Sequence, residues 1–428
     1  MRCGHDCRLV KLLGTSILNG VAVAVRVAVA LVLNKVLAVY VGPAGYALIG
    51  QFQSALAMAV NLAGGIVATG VTKMTAEHFD DQARQQAVWK TALRFSLITS
   101  LLVSMGLYFL SDQVGVWLFR GESLGGVFVL LAATLPALAV NNLLLAIVNG
   151  KKEVGIYVAV NMAGSLISLA VTGLLAMTFG LYGALVALAI NPSLTLLATG
   201  VMVTRCAWFK VGNLWGPMKR NVVQELTGFG LMALTSALVV PVTHILIRDH
   251  LATHLGLAAA GYWQAVWKIS EIYLMLVTST LSVYYLPRLA EIRTRAELVA
   301  EVAKVYRFAL PVVIVGASVI YLLRDFIVQN LFTSDFAPMR DLFAWQLVGD
   351  VIKIGSWILG YVMIGRSMVK VFVVTEVVFS VSFLCLTWLC VGIWGLQGVA
   401  IAYAANYAMY WMCVGVLTRR ALRRMTFA

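Results

Sequence analysis

The sequence predicts an all-α polytopic membrane protein, with about twelve transmembrane helices in two parallel six-helix lobes around a central cavity. Three observations support this fold class. The 428 residues are 61% hydrophobic and 12% charged, with a mean hydropathy of +0.91, which is not typical of a soluble domain. About twelve apolar segments have the roughly 20 residues that a helix needs to cross a bilayer. The second half of the chain also repeats features of the first.

The apolar segments follow one another with short connections that Gly or Pro often marks. Their predicted limits are 12–38, 45–70, 91–110, 124–148, 155–178, 181–204, 223–247, 261–286, 304–323, 342–364, 371–391 and 396–418. The net charge of +14 is concentrated in the connections, which indicates membrane topology and argues against nucleic-acid binding. If both termini are cytoplasmic, the outside segments hold Arg120, Arg248, Arg324 and Arg340, and most other Lys and Arg residues lie inside. This bias predicts cytoplasmic termini.

The repeat relates the two halves at a shift of 215 residues. It pairs Gly180 with Gly395, Gly183 with Gly398, Asn191 with Asn406 and Arg205 with Arg420. Six helices per half is an even number, so the two halves enter the membrane in the same orientation. The predicted organisation is therefore an N-terminal lobe over 1–204, a cytoplasmic linker over 205–222 and a C-terminal lobe over 223–428.

The first span carries Arg26 near its centre, where an arginine costs about 2.5–3.5 kcal/mol. Such a residue must face a wetted, protein-lined interior, and we predict that it faces a functional cavity; the alternative is a buried structural pair. Asn19 lies seven residues earlier and therefore shares its helix face. Lys35 points to the opposite face near the end of the span, where its side chain can also reach the membrane surface.

The eighth span presents Gln264, Lys268 and Glu271 on one helix face, because they follow at spacings of four and three. Lys268 and Glu271 are either site residues or a pair that neutralises itself. The six cysteines include Cys3 and Cys7, which we interpret as part of a cytoplasmic tail, and no metal or cofactor is expected.

The tenth span repeats this spacing with Gln346, Asp350 and Lys353. Asp350 is the stronger candidate for a titrating group, although Lys353 beside it favours the ionised carboxylate. Glu376, a few residues into the eleventh span, can either serve the same site or reach the membrane surface. Asparagines within other spans, such as Asn161 and Asn191, are expected to make interhelical hydrogen bonds.

Four stretches resemble the Wzx-type polysaccharide-lipid flippases of the multidrug/oligosaccharidyl-lipid/polysaccharide exporter superfamily. The stretch 339–353 resembles the tenth helix of that family, and it is the most specific of the four. Residues 41–45 resemble the turn after its first helix, 70–73 the end of its second helix, and 282–287 the end of its eighth. The resemblance implies two six-helix lobes around a cavity that is often cationic.

The resemblance also implies a function. The expected cargo is an undecaprenyl-diphosphate-linked oligosaccharide, such as an O-antigen unit of lipopolysaccharide or an enterobacterial-common-antigen-like unit. It would be moved to the periplasmic leaflet of a bacterial inner membrane by alternating access, with an ion gradient as the energy source. The expected partners are this lipid, the bilayer and a polysaccharide polymerase with its chain-length machinery.

With such a cargo, the candidate residues take roles. The predicted substrate-binding residues are Arg26, Asn19, Lys35, Gln51, Gln264, Lys268, Gln346 and Lys353. The predicted ion-coupling residues are Asp350, Glu271 and Glu376. Arginine suits the diphosphate, and amides suit sugar hydroxyls.

Two alternatives stay open. A drug or organic-cation exporter of the same superfamily would share the fold, but it would favour acidic and aromatic cavity walls. A membrane-embedded polymerase or glycosyltransferase would handle the same lipid, but it would need a long extramembrane catalytic loop. The sequence contains no P-loop, HExxH, CxxC or GxSxG motif, so we do not expect an enzyme.

Overall fold

A computed structural model describes residues 3–121, 124–228, 230–366 and 368–424 of the chain. Side chains are described from residue 20 to residue 420, apart from 66, 122–123, 227–233, 283, 290 and 367. The described residues are almost wholly helical and contain no strand. The predicted all-α class is confirmed.

Fifteen α-helices lie within these described residues. The first seven are α1 (Cys3–Val60), α2 (Ile66–Glu77), α3 (Gln82–Phe109), α4 (Ser111–Leu118), α5 (Gly126–Gly150), α6 (Val154–Val203) and α7 (Arg220–Gly228). The others are α8 (Gly230–Leu255), α9 (Leu257–Thr280), α10 (Leu286–Glu291), α11 (Arg295–Leu322), α12 (Arg324–Leu331), α13 (Phe343–Gly365), α14 (Val369–Trp394) and α15 (Gln397–Arg424). Single π-helical turns, Asn61–Gly65 and Leu281–Tyr285, join α1 to α2 and α9 to α10.

Eight helical stretches in the described residues are long and apolar enough to cross a membrane. Two of them, in α1 and α6, each hold two predicted spans, because non-helical backbone at Gly42 and at Gly180 divides each into two helical segments. Together with α8 and α9, which correspond to the seventh and eighth predicted spans, they account for about twelve spans. The protein is thus a multi-pass membrane protein, as predicted.

The seventh predicted span, 223–247, differs from the structure at both ends. The described residues Arg220–Gly228 form α7 and Gly230–Leu255 form α8, with residue 229 between them outside the described residues. Hydropathy falls at Arg248 because the residues that follow are polar, yet the helix continues for seven more residues. Arg248 therefore lies within α8 and not in a loop.

The repeat is visible in the backbone. Gly180 has φ 56° and ψ −132°, and Gly395 has φ 57° and ψ −135°, so both halves turn between two helices with the same conformation. These positive φ values favour glycine. Beyond each turn, a Cβ at Gly183 would collide with the carbonyl oxygen of Leu175, and a Cβ at Gly398 with that of Cys390. The same close approach, eight residues apart, thus recurs in both halves.

The chain forms two compact units. The first contains residues 1–40 and 51–237, and the second contains 41–50 and 238–428. In the second unit, the short segment 41–50 packs so tightly on α9 that a Cβ at Gly261 would collide with the carbonyl oxygen of Pro43. The predicted boundaries at 204/205 and 222/223 stay a prediction.

In the first unit, α7 is docked against α2, α3 and α5. Its apolar residues Val222 and Leu226 are fully buried in a core with Val71, Trp89 and Ile147. On its outer side, Nη2 of Arg84 contacts both carboxylate oxygens of Glu225 at 3.1 and 3.2 Å. The amphipathic pattern of α7 thus explains how its apolar side packs into this core.

Candidate substrate and coupling sites in the two units

In the first unit, Arg26 lies on the surface of the unit, with its guanidinium exposed. Its Nη2 donates to Oδ1 of Asn161 on α6 at 3.3 Å, and Asn161 in turn donates to the carbonyl oxygen of Tyr157. Within the described part of the chain, no carboxylate forms an ion pair with Arg26. The guanidinium therefore has donors left for an anion.

The other predicted residues of the first unit differ in exposure. Lys35 is half-buried, and Gln51 is buried at 5% exposure; both have interactions within the chain. The side chain of Asn19 lies outside the described residues, as do Cys3 and Cys7. Among the predicted residues of this unit whose side chains are described, Arg26 is the one that is exposed at the surface.

In the second unit, Lys268 and Glu271 form an ion pair of 2.9 Å on α9, with side chains 30% and 50% exposed. Nε1 of Trp267 also donates to Glu271, at 3.1 Å. The charges of this pair largely neutralise each other, as one of the two interpretations predicts.

Asp350 is fully buried on α13. Its two carboxylate oxygens accept hydrogen bonds from the hydroxyl groups of Tyr273 on α9 and Tyr403 on α15, both at 2.9 Å. These are neutral donors, so they solvate the carboxylate without neutralising it. A carboxylate in this position therefore needs a proton or a nearby cation.

Lys353, one turn after Asp350 on the same face, lies inside a cage of aromatic rings. Its Nζ is 4.8 Å from the ring centroid of Trp267, 4.9 Å from Trp357, 5.8 Å from Tyr403 and 5.5 Å from Tyr407. These rings come from α9, α13 and α15, and they leave the lysine 9% exposed. Aromatic faces attract ammonium groups at such distances.

The two predicted amides of this unit are buried. Gln264 accepts a 2.7 Å hydrogen bond from Nη1 of Arg248, which is itself only 2% exposed. Gln346 is fully buried, and neither its amide oxygen nor its nitrogen has a hydrogen-bond partner among the described residues. Glu376 on α14 is half-buried and interacts electrostatically with Lys353.

Several residues of this cluster were not predicted as site residues from the sequence. Arg248 stacks near Trp263, with 6.0 Å from its guanidinium carbon to the ring centroid, and His244 packs edge-on against Trp267 at 4.3 Å. The spacing of four between Tyr403 and Tyr407, and between Lys353 and Trp357, is a helical signal that was available. What brings these residues together is the packing of α8, α9, α13 and α15.

The arrangement of helices is that of a multi-spanning membrane transporter. A solved structure described as the inward-facing conformation of a multidrug resistance MATE family transporter of the MOP superfamily superposes with a TM-score of 0.78, covering 94% of this chain and 98% of that one. The two are 15% identical, so this likeness concerns the fold.

Sequence comparison gives the family. The sequence model of the polysaccharide biosynthesis protein family matches residues 36–341. The Lipid III flippases of Escherichia coli (strain K12) and Shigella flexneri are each 32% identical to this chain over 403 residues, which is 94% of this chain and 97% of each relative. The chain belongs to the polysaccharide biosynthesis protein family, and the resemblance to polysaccharide-lipid flippases is confirmed.

Proposed function

We propose that this protein is a flippase that moves an undecaprenyl-diphosphate-linked oligosaccharide from the cytoplasmic to the periplasmic leaflet of a bacterial inner membrane. Its relatives named Lipid III flippase, similar over nearly the full length of both chains, support flippase activity. The transporter fold fits alternating access. The sugar-bearing lipid is the substrate, and a polysaccharide polymerase with its chain-length machinery is the proposed consumer of the product.

The proposed anion site rests on the exposed guanidinium of Arg26. A diphosphate cannot cross hydrocarbon without a compensating charge. The guanidinium of Arg26 is exposed on an otherwise apolar helix, and its neutral partner Asn161 leaves its charge uncompensated within the described residues. Guanidinium groups bind phosphate oxygens in pairs, which an ammonium cannot do. The proposed role of Arg26 is therefore to hold the diphosphate.

Other predicted substrate residues fit this role to different degrees. Lys268 is partly exposed and can contribute to an anionic site, although Glu271 offsets its charge. Gln51, Gln264 and Gln346 are all buried, so sugar contacts through them require the helices to separate. Alternating access supplies such movements.

The organic-cation exporter is less well supported. Rings and a buried carboxylate do meet around Asp350, as that function would need. However, Lys353 already fills the space between these rings. An organic cation would have to displace a lysine that is covalently part of the site.

The test compares Arg26→Ala and Arg26→Lys with wild-type protein at matched expression, in a reconstituted assay for leaflet translocation of a defined diphosphate-linked saccharide. We expect Arg26→Ala to lose at least about tenfold in rate, since a charge-assisted hydrogen bond contributes roughly 1.5–3 kcal/mol. Arg26→Lys should retain an intermediate rate. Arg324→Ala, which removes an arginine from the predicted outside segment, is the control. Wild-type translocation by Arg26→Ala would rule out the anion site.

A further inference from the structure

The ammonium group of Lys353 is enclosed by the protein's own rings. Trp267, Trp357, Tyr403 and Tyr407 surround it, with centroids 4.8 to 5.8 Å from Nζ. Cages of this composition bind ammonium ligands that come from solution. Here the ammonium belongs to Lys353 of α13 itself, so the protein's own side chain occupies the cage.

Lys353 and Asp350 belong to the same site. They are three residues apart on α13 and therefore share a helix face. Tyr403 joins them, because its hydroxyl donates to Oδ1 of Asp350 while its ring contacts the ammonium. Since both residues are buried, the attraction between carboxylate and ammonium is weakly screened.

This arrangement leaves little for a metal cation to bind. Hard cations require several oxygen ligands with free lone pairs. At Asp350 each carboxylate oxygen already uses one of its two lone pairs to accept a hydrogen bond from a tyrosine. A second positive charge would also be repelled by Lys353.

We propose that Lys353 is a tethered counter-ion of Asp350 that takes the place of a metal cation, so that coupling through this cluster uses protons and not sodium. This inference rests on the proposed function, since it names the ion of the gradient that drives translocation. A proton from water adds to a carboxylate oxygen of Asp350, which becomes a neutral acid. The ammonium of Lys353 then loses the counter-charge that attracts it most strongly.

After Asp350 is protonated, the other charged groups around Lys353 determine in which direction its ammonium is attracted. Glu271 on α9 and Glu376 on α14 both attract Lys353. Tyr273 on α9 and Tyr403 and Tyr407 on α15 remain as neutral hydroxyl groups around the pair. On α8, the guanidinium of Arg248 lies near Trp263 and disfavours an additional cation, and His244 packs against Trp267. Protonation of Asp350 therefore shifts Lys353 toward Glu271 or Glu376 and changes the packing of α13 against α9, α14 and α15.

The first experiment titrates purified full-length protein with sodium chloride against potassium chloride at constant ionic strength, and follows the midpoint of thermal unfolding. Wild-type protein should show the same midpoint in both salts. Lys353→Gln should acquire a saturable, sodium-specific rise in the midpoint, because Asp350 loses its counter-ion. Adding Asp350→Asn to Lys353→Gln should abolish this rise. Lys370→Gln, which changes an exposed lysine of the same unit, is the control and should behave as wild type.

Two results would overturn the proposal. One is a sodium-specific, saturable stabilisation of wild-type protein that Asp350→Asn removes. The other is a folded Lys353→Gln variant that gains no response to sodium. If Lys353→Gln does not fold, the wild-type titration still decides, together with intrinsic tryptophan fluorescence, to which Trp267 and Trp357 contribute among 11 tryptophans. That fluorescence should change with pH in wild-type protein and not in Asp350→Asn; a sodium response without a pH response would contradict the proposal.

The result of these salt titrations does not depend on whether Arg26 binds the diphosphate. The titrations contain no lipid-linked saccharide and measure no translocation, and Arg26→Ala should give the same salt response as wild-type protein. A sodium response at Asp350 would refute the tethered counter-ion while leaving flippase activity intact. Wild-type translocation by Arg26→Ala would refute the anion site while leaving the tethered counter-ion intact.

Discussion

Aromatic rings surround the ammonium groups of two lysines, one in each unit. Lys353 is held by four rings in the second unit. In the first unit, Nζ of Lys151 lies 5.4 Å from the ring centroid of Phe79, 5.5 Å from Trp89 and 6.0 Å from Trp208. Lys151 follows α5 in a turn outside the apolar helices, where no translocation role is expected. Its cage therefore stabilises the fold, whereas that of Lys353 adjoins a buried acid.

The contribution of Lys151 can be measured against its neighbour. Lys152 contacts one ring, Phe79, at 5.4 Å. Because cation–π contacts are worth about 0.5–2 kcal/mol depending on exposure, Lys151→Ala should lower the free energy of unfolding by about 1–2 kcal/mol. Lys152→Ala should lower it by less than about 1 kcal/mol. Denaturant titration in detergent micelles, followed by tryptophan fluorescence, gives both values. Equal losses for the two variants would argue against the three-ring cage.

At the scale of helices, glycines make the same turn in both halves. Gly180 and Gly395 turn the chain between paired helices, and Gly183 and Gly398 let the next helix approach a carbonyl oxygen of the previous one. The spacing of these glycines was the sequence signal for the repeat. The spacing alone does not predict their tight contacts, because a glycine in a turn and a glycine in a packing contact look alike in a sequence. The contacts become visible only in the structure.

We predict that Gly183→Ala and Gly398→Ala each prevent stable folding. The added Cβ would meet backbone atoms, which cannot move aside as a flexible side chain can. Overpacking typically costs about 1–3 kcal/mol, and a contact with rigid backbone belongs at the upper end of that range. The matched controls are Gly173→Ala in α6 and Gly392→Ala in α14, where a Cβ would meet nothing within 4 Å. Monodisperse protein remaining after heating, measured by size exclusion, should fall sharply for the first two variants and stay near wild type for the controls. Near-normal recovery of Gly183→Ala would contradict the repeat's close packing.

At the scale of the whole molecule, hydropathy was enough to predict the number of spans and the fold class, because span length is imposed by the bilayer. It was not enough to place Arg248, since a helix can continue past its last apolar turn when its polar residues find partners such as Gln264. Nor could it show that segment 41–50 joins the second unit, or that rings from α9 and α15 enclose Lys353. Such contacts join residues far apart in sequence, and one sequence without relatives does not reveal them.

The orientation of the molecule remains a prediction from its basic residues, and Cys206 offers a native probe of it. This free thiol follows α6 in the predicted cytoplasmic linker, where it lines a cavity of about 480 Å³ together with Glu153 and Arg205. Burial raises the pKa of the Cys206 thiol, and the carboxylate of Glu153 raises it further. Less thiolate is therefore present at neutral pH, and maleimide labelling should accelerate as the pH rises.

The experiment uses a variant in which Cys206 is the one remaining cysteine of six. If the termini are cytoplasmic, a membrane-impermeant maleimide should label Cys206 in inverted vesicles and not in intact spheroplasts. Asp335→Cys in a cysteine-free chain is the opposite control, because this exposed position lies between the ninth and tenth predicted spans, on the predicted outside. Glu153→Gln should speed labelling of Cys206 at neutral pH, since it removes a charge that opposes the thiolate. Labelling of Cys206 in spheroplasts would show that the predicted cytoplasmic linker faces the periplasm. The proposed direction of transport would then run from the other end of the molecule, opposite to the orientation that the basic residues predict.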